Sequence, residues 1–312
     1  MAKQAESLFV DSELIELERL AVELAAWAGA EASQALNLEP EINYKPRGPH
    51  RRPRADDDPG DPVSIIDTNI ETEVRKRVSE CFPTHTLLGE EEEELPNPDA
   101  DWVWVIDPID GTSNFINRFP LFAVSIGILH RGIPVVGAIW CSITHLTGSG
   151  VYHARYGSAL HLNGRILSDP SSQVKRKLGA APGGSPGSTP HWDNRVTGSA
   201  AFELAMVSAK VFTSVPLWSL SIWDVAAGVC LAWSANLEVW IRRDDGWVEF
   251  ERFDAAHNGV RESKSKHVSL RYWRSPLIVG NRQACQYWVT RAGKVLGVRG
   301  RISRRLRRFL SV

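Results

Sequence analysis

The amino-acid sequence predicts a layered α/β (α+β) sandwich, because segments with helical periodicity alternate with short β-rich apolar runs along most of the chain. The chain has 312 residues, of which 43% are hydrophobic and 23% charged, so it can bury the core of one large domain or of two closely packed ones. Its formal net charge of −1 argues against nucleic acid as the main partner.

The sequence also argues against a membrane protein and against a secreted, disulfide-linked one. It contains no uninterrupted apolar stretch of membrane-spanning length, and the first residues do not resemble a signal peptide. The four cysteines lie far apart, without the close spacing of zinc or redox motifs, so we expect mostly buried thiols. We therefore predict a cytoplasmic protein with no membrane partner.

The N-terminal elements predicted in chain order are a helix over 14–36, a strand over 42–45, a loop over 46–62, a strand end at 64–66 and a helix over 67–81. Leucine, isoleucine and alanine recur with helical period in the first helix. The loop lacks apolar periodicity and carries an arginine-rich run beside an acidic one, which is typical of an exposed segment. Asp67 or Thr68 is the expected N-cap of the second helix.

The middle of the chain predicts antiparallel strands. These strands are expected over 102–106, 123–129, 135–140, 151–154 and 159–162. The dipeptide Arg131-Gly132 separates two β-rich runs and predicts a hairpin, and Asn163-Gly164 predicts a further turn.

Residues 181–190 are rich in glycine, proline and serine and predict a linker. We place a domain boundary there, with one domain over 1–183 and a smaller α/β domain over 184–312. The elements expected after the linker are a helix over 200–210, a strand over 211–216, a helix over 224–234 and a strand over 237–242. A basic tail over 299–312 ends the chain.

The most informative segment is the end of the strand over 102–106, which runs into Asp107 and Asp110 and then into Gly111. Two carboxylates so close together repel each other unless a positive charge lies nearby. Mg²⁺ prefers oxygen ligands and keeps open positions for phosphate groups, so this pair is a candidate metal site. Taken alone, Asp-Pro-x-Asp-Gly could equally be a turn in which aspartate and glycine only set the backbone geometry.

Residues 107–115, Asp-Pro-Ile-Asp-Gly-Thr-Ser-Asn-Phe, resemble the signature of the inositol monophosphatase family of magnesium-dependent, lithium-sensitive phosphatases. Further blocks resemble the same family in the same order, and together they cover about residues 60 to 250. These blocks lie at 61–67, 88–91, 119–120, 124–127, 163–164, 198–200 and 222–228. The resemblance implies the αβαβα sandwich of the inositol monophosphatase and fructose-1,6-bisphosphatase superfamily.

The resemblance also implies a phosphoric monoester hydrolase with a set of functional residues. The implied metal ligands are Glu90, Asp107, the main-chain carbonyl of Ile109, Asp110 and Asp224, with Asp224 supplied by the C-terminal domain. The implied catalytic residues are Asp67, Glu90 and Thr112. The implied substrate-binding residues are Ile109, Asp110, Gly111, Thr112, Gly198, Ser199, Ala200 and Asp224. Glu90 begins a run of five glutamates, and Glu91 is the alternative ligand.

By this similarity, the donors hold Mg²⁺ ions, and Thr112 with Asp67 orients and deprotonates an attacking water, assisted by Glu90. The backbone N–H groups of Gly111, Thr112 and Ser113 would bind phosphate if a helix begins at Asn114. No covalent phosphoenzyme is implied. The resemblance further implies a homodimer and inhibition by lithium.

The substrate is expected to be a small phosphate monoester such as inositol 1-phosphate. Where the inositol-specific enzymes carry an acid that contacts sugar hydroxyls, this chain has Leu217. Fructose 1,6-bisphosphate, 3′-phosphoadenosine 5′-phosphate and histidinol phosphate therefore remain alternatives. An inactive metal-binding interaction protein is the alternative of another class. The basic tail is expected to be a solvated terminal helix rather than a membrane or nucleic-acid site.

Overall fold

The computed structural model describes residues 11–36, 42–45, 61–92, 97, 100–146, 148–167, 177–180, 191–244, 246–254 and 270–292. The helices are α1 Asp11–Ala35, α2 Ile65–Cys81, α3 Thr112–Ile116, α4 Ala200–Ser208, α5 Ile222–Ser234 and α6 over 282–292, with a 3₁₀ turn at Leu270–Tyr272. The strands are β1 Ile42–Lys45, β2 Asp61–Ser64, β3 Thr86–Gly89, β4 Trp102–Asp110, β5 Ala123–His130, β6 Ile133–Cys141, β7 Gly150–Arg155, β8 His161–Leu162, β9 Arg165–Ile166, β10 Leu178–Ala180, β11 Asp193–Arg195, β12 Ser214–Ser221, β13 Glu238–Arg243, β14 Gly246–Glu249 and β15 Arg274–Gly280.

Two larger sheets organise these elements. The first has seven strands in the order β3-β4-β5-β6-β7-β8-β9, in which β3 is parallel to β4 and every other pair is antiparallel. The second has four antiparallel strands in the order β12-β15-β13-β14. The short pairs β1-β2 and β10-β11 stand apart from them.

The side chains of β4 show how the layers stack. Val103 and Val105 pack with α4, α5 and the four-stranded sheet, whereas Trp104 and Ile106 pack with α1 and α2. This alternation is the two-residue period of a strand that is buried on both faces. On the far side of the four-stranded sheet, Ile278 packs against residues of α6. The order is therefore helices, sheet, helices, sheet, helix, which confirms the predicted αβαβα sandwich.

Several element boundaries were predicted wrongly, and three of them are described next. Strand β4 continues through both acids to Asp110 rather than ending at Ile106. Helix α2 begins at Ile65, so Asp67 lies inside the first turn and is not the N-cap. Strand β12 covers Ser214–Ser221, later than the 211–216 expected, because a tight turn at 209–213 follows α4.

Several predictions fall outside the described residues. These are most of the loop predicted over 46–62, the linker over 181–190 and the basic tail, so the domain division at 183 stays a prediction. The last two residues of the predicted loop, Asp61 and Pro62, instead begin β2. Within the described part, Cys141, Cys230 and Cys285 are buried free thiols and Cys81 is exposed, which confirms the expectation of mostly buried thiols. Among the described helices, none is long and apolar enough to cross a membrane.

Helix α5 lies unusually close to the seven-stranded sheet. Gly127 and Gly137 are paired across β5 and β6, and a Cβ on Gly137 would overlap the main-chain carbonyl of Ala227 in α5. A Cβ on Gly127 would lie 2.8 Å from the Ala227 nitrogen. The small residues at 226–228 in the block over 222–228 therefore let α5 contact the sheet backbone. This contact fixes where Asp224 lies.

We predict that Gly137→Ala lowers the free energy of unfolding by about 1–3 kcal/mol, because α5 must move away from the sheet to accommodate the methyl group. Urea denaturation followed by circular dichroism measures the change. The exposed α2 substitution Ser79→Ala is the control and should change the free energy by less than about 0.5 kcal/mol. An unfolding free energy equal to wild type would contradict the close contact.

Candidate active site

An irregularity in β4 brings its two acids together. Asp107 pairs with Ser125 and Asp110 pairs with Ala123, so β4 has one residue more than β5 between these two pairs. In a regular strand, residues three apart point to opposite faces, and one extra residue returns them to the same face. Asp107 Oδ1 accepts a hydrogen bond from the Ile109 amide at 3.1 Å, and Pro108 has no amide hydrogen that would need a strand partner.

Helix α5 adds a third carboxylate. Asp224 lies in its first turn, where the Ser221 amide donates to Oδ2 at 2.6 Å. The Ser125 hydroxyl donates to the Trp223 carbonyl at 3.0 Å, and Ser125 is the residue that pairs with Asp107. As a result, one carboxylate oxygen from each of Asp107, Asp110 and Asp224 lies within 4.8 Å of the others.

Glu90 and Asp67 border this group. Asp67 is buried in α2, and Glu90 is partly buried directly after β3. Burial raises the pKa of Asp107 well above its usual value, and the charges of Glu90, Asp110, Asp224 and Asp67 raise it further. Burial also raises the pKa of Asp224, with Asp110 and Glu90 adding to the shift. The five predicted acids therefore interact electrostatically, and Glu90 is among the charges that act on Asp107.

Asp110 has a distinct environment at the start of α4. Its Oδ2 accepts hydrogen bonds from the Ser199 hydroxyl at 2.6 Å and from the Ala201 amide at 2.5 Å. Burial raises the pKa of Asp110 to about 6, and these donors counteract part of the shift. Ser199 was predicted to bind substrate; the structure shows its hydroxyl orienting Asp110, with Gly198 and Ala200 on either side. Oδ1 is the oxygen that these two donors do not hold.

The turn after β4 is shaped by Gly111. Its φ of +90° is in the left-handed region, and a Cβ would lie 3.2 Å from that of Ser199. Helix α3 begins at Thr112, two residues before the start expected at Asn114. The Thr112 hydroxyl donates to the Ile109 carbonyl at 3.0 Å. The amides of residues 111–113 precede the first hydrogen bond of α3, which runs from the Asn114 amide to Gly111 at 2.8 Å.

Three residues that organise the site were missed by the sequence analysis. Asn114 Nδ2 donates to the Leu121 carbonyl at 2.6 Å and to the Thr197 carbonyl at 2.7 Å, which ties the turn after β4 to the start of α4. Fully buried Glu71 accepts the amides of Glu91 and Glu92. Its spacing of four from Asp67 could have placed it on the same helix face. The third is Arg271, which donates to the carbonyls of Gly89 and Glu90. No local sequence pattern indicated this role.

The donor set fits a hard divalent cation. The clustered side chains are carboxylates, and among the described residues neither histidine nor cysteine joins this group. Oxygen-only donors with several negative charges suit Mg²⁺. Burial raises the pKa of Asp107 and Asp224, and the neighbouring carboxylates raise it further, because their negative charges repel. Bound Mg²⁺ would offset this repulsion.

Comparisons with known proteins agree with this site. A model described as the inositol monophosphatase family matches residues 13–267. The chloroplastic phosphatase IMPL1 of Arabidopsis thaliana is 30% identical over 293 residues, covering 82% of this chain and 74% of that protein. A fructose-1,6-bisphosphatase/inositol-1-monophosphatase of Aquifex aeolicus is 28% identical over 184 residues, covering 54% of this chain and 68% of that protein.

A solved structure shows the same fold. The crystal structure of an IMPase/NADP phosphatase complexed with Mg²⁺ and phosphate aligns with a TM-score of 0.64, covering 89% of this chain and 95% of that chain. The two chains are 17% identical, so this comparison shows a shared architecture.

Proposed function

Because this chain belongs to the inositol monophosphatase family and is a phosphoric monoester hydrolase, we propose that it hydrolyses small phosphate monoesters of the inositol 1-phosphate kind with Mg²⁺. The observation that carries the proposal is the group of carboxylate oxygens of Asp107, Asp110 and Asp224 within 4.8 Å of one another, supplied by β4 and α5. The Aquifex relative, whose name combines two activities, supports a sugar bisphosphate as the second candidate.

Glu90, Asp107, Asp110, Asp224 and the carbonyl oxygen of Ile109 are the proposed metal ligands. Asp107 is at the centre of the group, because Glu90, Asp110, Asp224 and Asp67 all act on its carboxylate. Asp107 would serve two cations, with Glu90 and the Ile109 carbonyl completing one ligand set and Asp110 and Asp224 completing the other. When bound, Mg²⁺ supplies positive charge to the phosphate oxygens and acidifies a water.

Thr112 and Asp67 are the proposed residues that handle this water, assisted by Glu90. The Thr112 hydroxyl donates its hydrogen to the Ile109 carbonyl, so its lone pairs can accept a hydrogen bond from the water, and the proton that the water loses would pass to Asp67. Asp67 is a buried carboxylate whose charge reaches Asp107, which places a proton acceptor beside the metal ligands. The attacking group is water, and no side chain is phosphorylated.

The substrate phosphate is proposed to lie against the amides of residues 111–113, close to Gly198, Ser199 and Ala200. Gly111 leaves no side chain between these amides and the Cβ of Ser199 or the carbonyl of Gly198. The alcohol part of the substrate is proposed to have fewer contacts with the protein than the phosphate has. Leu217 is 1% exposed and pairs with Leu277 in the four-stranded sheet, so it offers no hydrogen bond to a sugar hydroxyl. A site lacking such partners discriminates weakly between esters.

A phosphate-release panel tests the substrate. It should compare inositol 1-phosphate, fructose 1,6-bisphosphate, 3′-phosphoadenosine 5′-phosphate, histidinol phosphate and glycerol phosphate at saturating Mg²⁺. We expect kcat/KM values for several of these within about two decades. A preference for one ester by more than about four decades would contradict the weak discrimination.

We predict strict dependence on Mg²⁺. Excess EDTA should abolish phosphate release and added Mg²⁺ should restore it, because the acids need a cation to bind phosphate. Mg²⁺ should also raise the thermal midpoint of the wild-type protein, since a ligand that binds only the folded state stabilises it. Full activity in EDTA, or a midpoint indifferent to Mg²⁺, would contradict the metal centre. A midpoint raised by Mg²⁺ without phosphate release from any ester would favour the inactive metal-binding interaction protein. Lithium inhibition and the homodimer stay predictions.

A further inference from the structure

Arg271 contacts the turn that carries Glu90 from a distant part of the chain. Its Nη1 donates to the Gly89 carbonyl at 2.6 Å and its Nη2 donates to the Glu90 carbonyl at 3.1 Å. These contacts join residues about 180 positions apart in the sequence. The guanidinium group is planar and presents its N–H donors in a fixed fork, so two adjacent carbonyls held by one arginine are fixed relative to each other.

The same turn is held from the opposite side of its peptide groups by Glu71. This carboxylate accepts the amides of Glu91 at 2.8 Å and of Glu92 at 3.1 Å, and Arg75 neutralises it at 3.0 Å. The carbonyls before this turn and the amides after it are thus both bonded to charged side chains. Charge-assisted hydrogen bonds are stronger than neutral ones, so the backbone around Glu90 has little freedom to move.

Arg271 also contacts the segment that carries Asp224. Its guanidinium carbon lies 5.5 Å from the ring centroid of Trp223, the residue before Asp224, and that of Arg274 lies 5.0 Å from the same ring. Trp223 is buried, which strengthens a cation–π contact. One side chain therefore contacts both the backbone of Glu90 and the neighbour of Asp224.

We propose that Arg271 is a positioning residue for the metal centre and sets the separation between Glu90 and Asp224. Its guanidinium group binds the Gly89 and Glu90 carbonyls and at the same time contacts the Trp223 ring. This inference rests on the proposed function, in which Glu90 and Asp224 serve different ions. Arg271 acts through its neighbours and does not touch substrate. Its removal should weaken metal binding while leaving the acids themselves in place.

The sign of the effect separates positioning from charge. Removing a cation beside an acidic cluster should strengthen Mg²⁺ binding if charge alone matters, whereas losing the positioning contact should weaken it. Arg274 supplies the matched comparison, because it contacts the same ring but donates to the Arg271 and Trp273 carbonyls instead of the Glu90 turn. Loss of an outer residue that orients a ligand typically weakens metal binding by about 10–100-fold.

The experiment is titration calorimetry of the full chain with Mg²⁺ alone, combined with kinetics. Arg271→Gln should weaken Mg²⁺ binding by at least about tenfold and raise the Mg²⁺ concentration needed for half-maximal activity to match. The KM for the phosphate ester at saturating Mg²⁺ should change by less than about threefold. Arg274→Gln and the exposed control Arg131→Gln should not weaken Mg²⁺ binding. Equal affinity in Arg271→Gln and wild type, or weakening shared by Arg274→Gln, overturns the inference.

A second variant and a reference variant keep the outcome clear. If Arg271→Gln does not fold, Arg271→Lys serves, because a point donor cannot form both fixed hydrogen bonds; its affinity should fall below wild type, and equality overturns the proposal. Asp107→Asn is the reference variant, because the binding heat that it loses relative to wild type is the heat of Mg²⁺ binding at the metal centre. If wild type and Asp107→Asn bind Mg²⁺ equally, the proposed metal centre fails, and this inference fails with it. If Asp107→Asn loses Mg²⁺ binding but the Arg271 variants bind Mg²⁺ like wild type, the metal centre stands and only the positioning role of Arg271 is contradicted.

Discussion

Asp107→Asn is expected to lower kcat by at least about 10³-fold, which corresponds to about 4 kcal/mol of lost transition-state stabilisation. Asp107 is at the centre of the acidic group, and a neutral amide binds two cations poorly. The geometry should survive, because the Asn side-chain oxygen can still accept the Ile109 amide that Asp107 Oδ1 accepts now. Phosphate release at saturating Mg²⁺ measures the effect, and circular dichroism shows whether the fold is retained.

The thermal stability of Asp107→Asn gives a second readout, which should not fall although kcat does. The pKa of Asp107 is raised in the folded state, so its charge destabilises the metal-free protein at neutral pH, and this penalty disappears as pH falls below its unfolded-state pKa. Without metal, Asp107→Asn should therefore unfold at or above the wild-type temperature. With Mg²⁺, the wild type alone should gain stability.

Asp101→Asn is the matched control for the activity loss, since Asp101 is an exposed acid paired with Arg131 at 2.8 Å. It should retain wild-type kcat. An Asp107→Asn enzyme with near-normal kcat would mean that the ligand assignment is wrong. A metal-free variant much less stable than wild type would contradict the electrostatic repulsion.

Local sequence patterns predicted many of the elements and missed several of their ends, and they did not predict β3, β14, β15 or α6. The hairpin at Arg131-Gly132 follows from a turn between two apolar runs, and the structure confirms it. The end of β4 does not follow, because Asp107 and Asp110 remain in the strand only through pairing with β5 and an irregularity. Asp67 has the side-chain chemistry of an N-cap, yet α2 begins at Ile65, directly after β2, two residues before Asp67. Tertiary pairing decided both boundaries.

The candidate site divides in the same way. Family motifs identified the acids that the structure brings close to Asp107. The residues that hold these acids came from long-range contacts: the Ser199 hydroxyl reaches Asp110 across 89 positions, and Arg271 reaches Glu90 across 181. A single arginine in a polar segment gives no indication of its target, because its target is a backbone carbonyl without a sequence signature.

Thr112→Ala is expected to lower kcat by about 10²–10³-fold with little change in KM, because the hydroxyl acts on the attacking water and not on the bound ester. Thr112→Ser keeps the hydroxyl and should recover most of the activity. Ser113→Ala removes an exposed hydroxyl one residue away and should leave kcat unchanged. Initial-rate kinetics over a range of ester concentrations at saturating Mg²⁺ separate kcat from KM.

The hydrogen bond from Thr112 to the Ile109 carbonyl at 3.0 Å offers a competing explanation, in which the hydroxyl only holds a metal-binding carbonyl in place. That role would weaken Mg²⁺ binding, and raising the Mg²⁺ concentration would then restore kcat. A role in orienting the attacking water leaves kcat low at every Mg²⁺ concentration, since the water is then no longer held for proton transfer to Asp67. Rescue by Mg²⁺ would therefore assign Thr112 to the metal site, and a change confined to KM would assign it to substrate binding; either result contradicts a catalytic role.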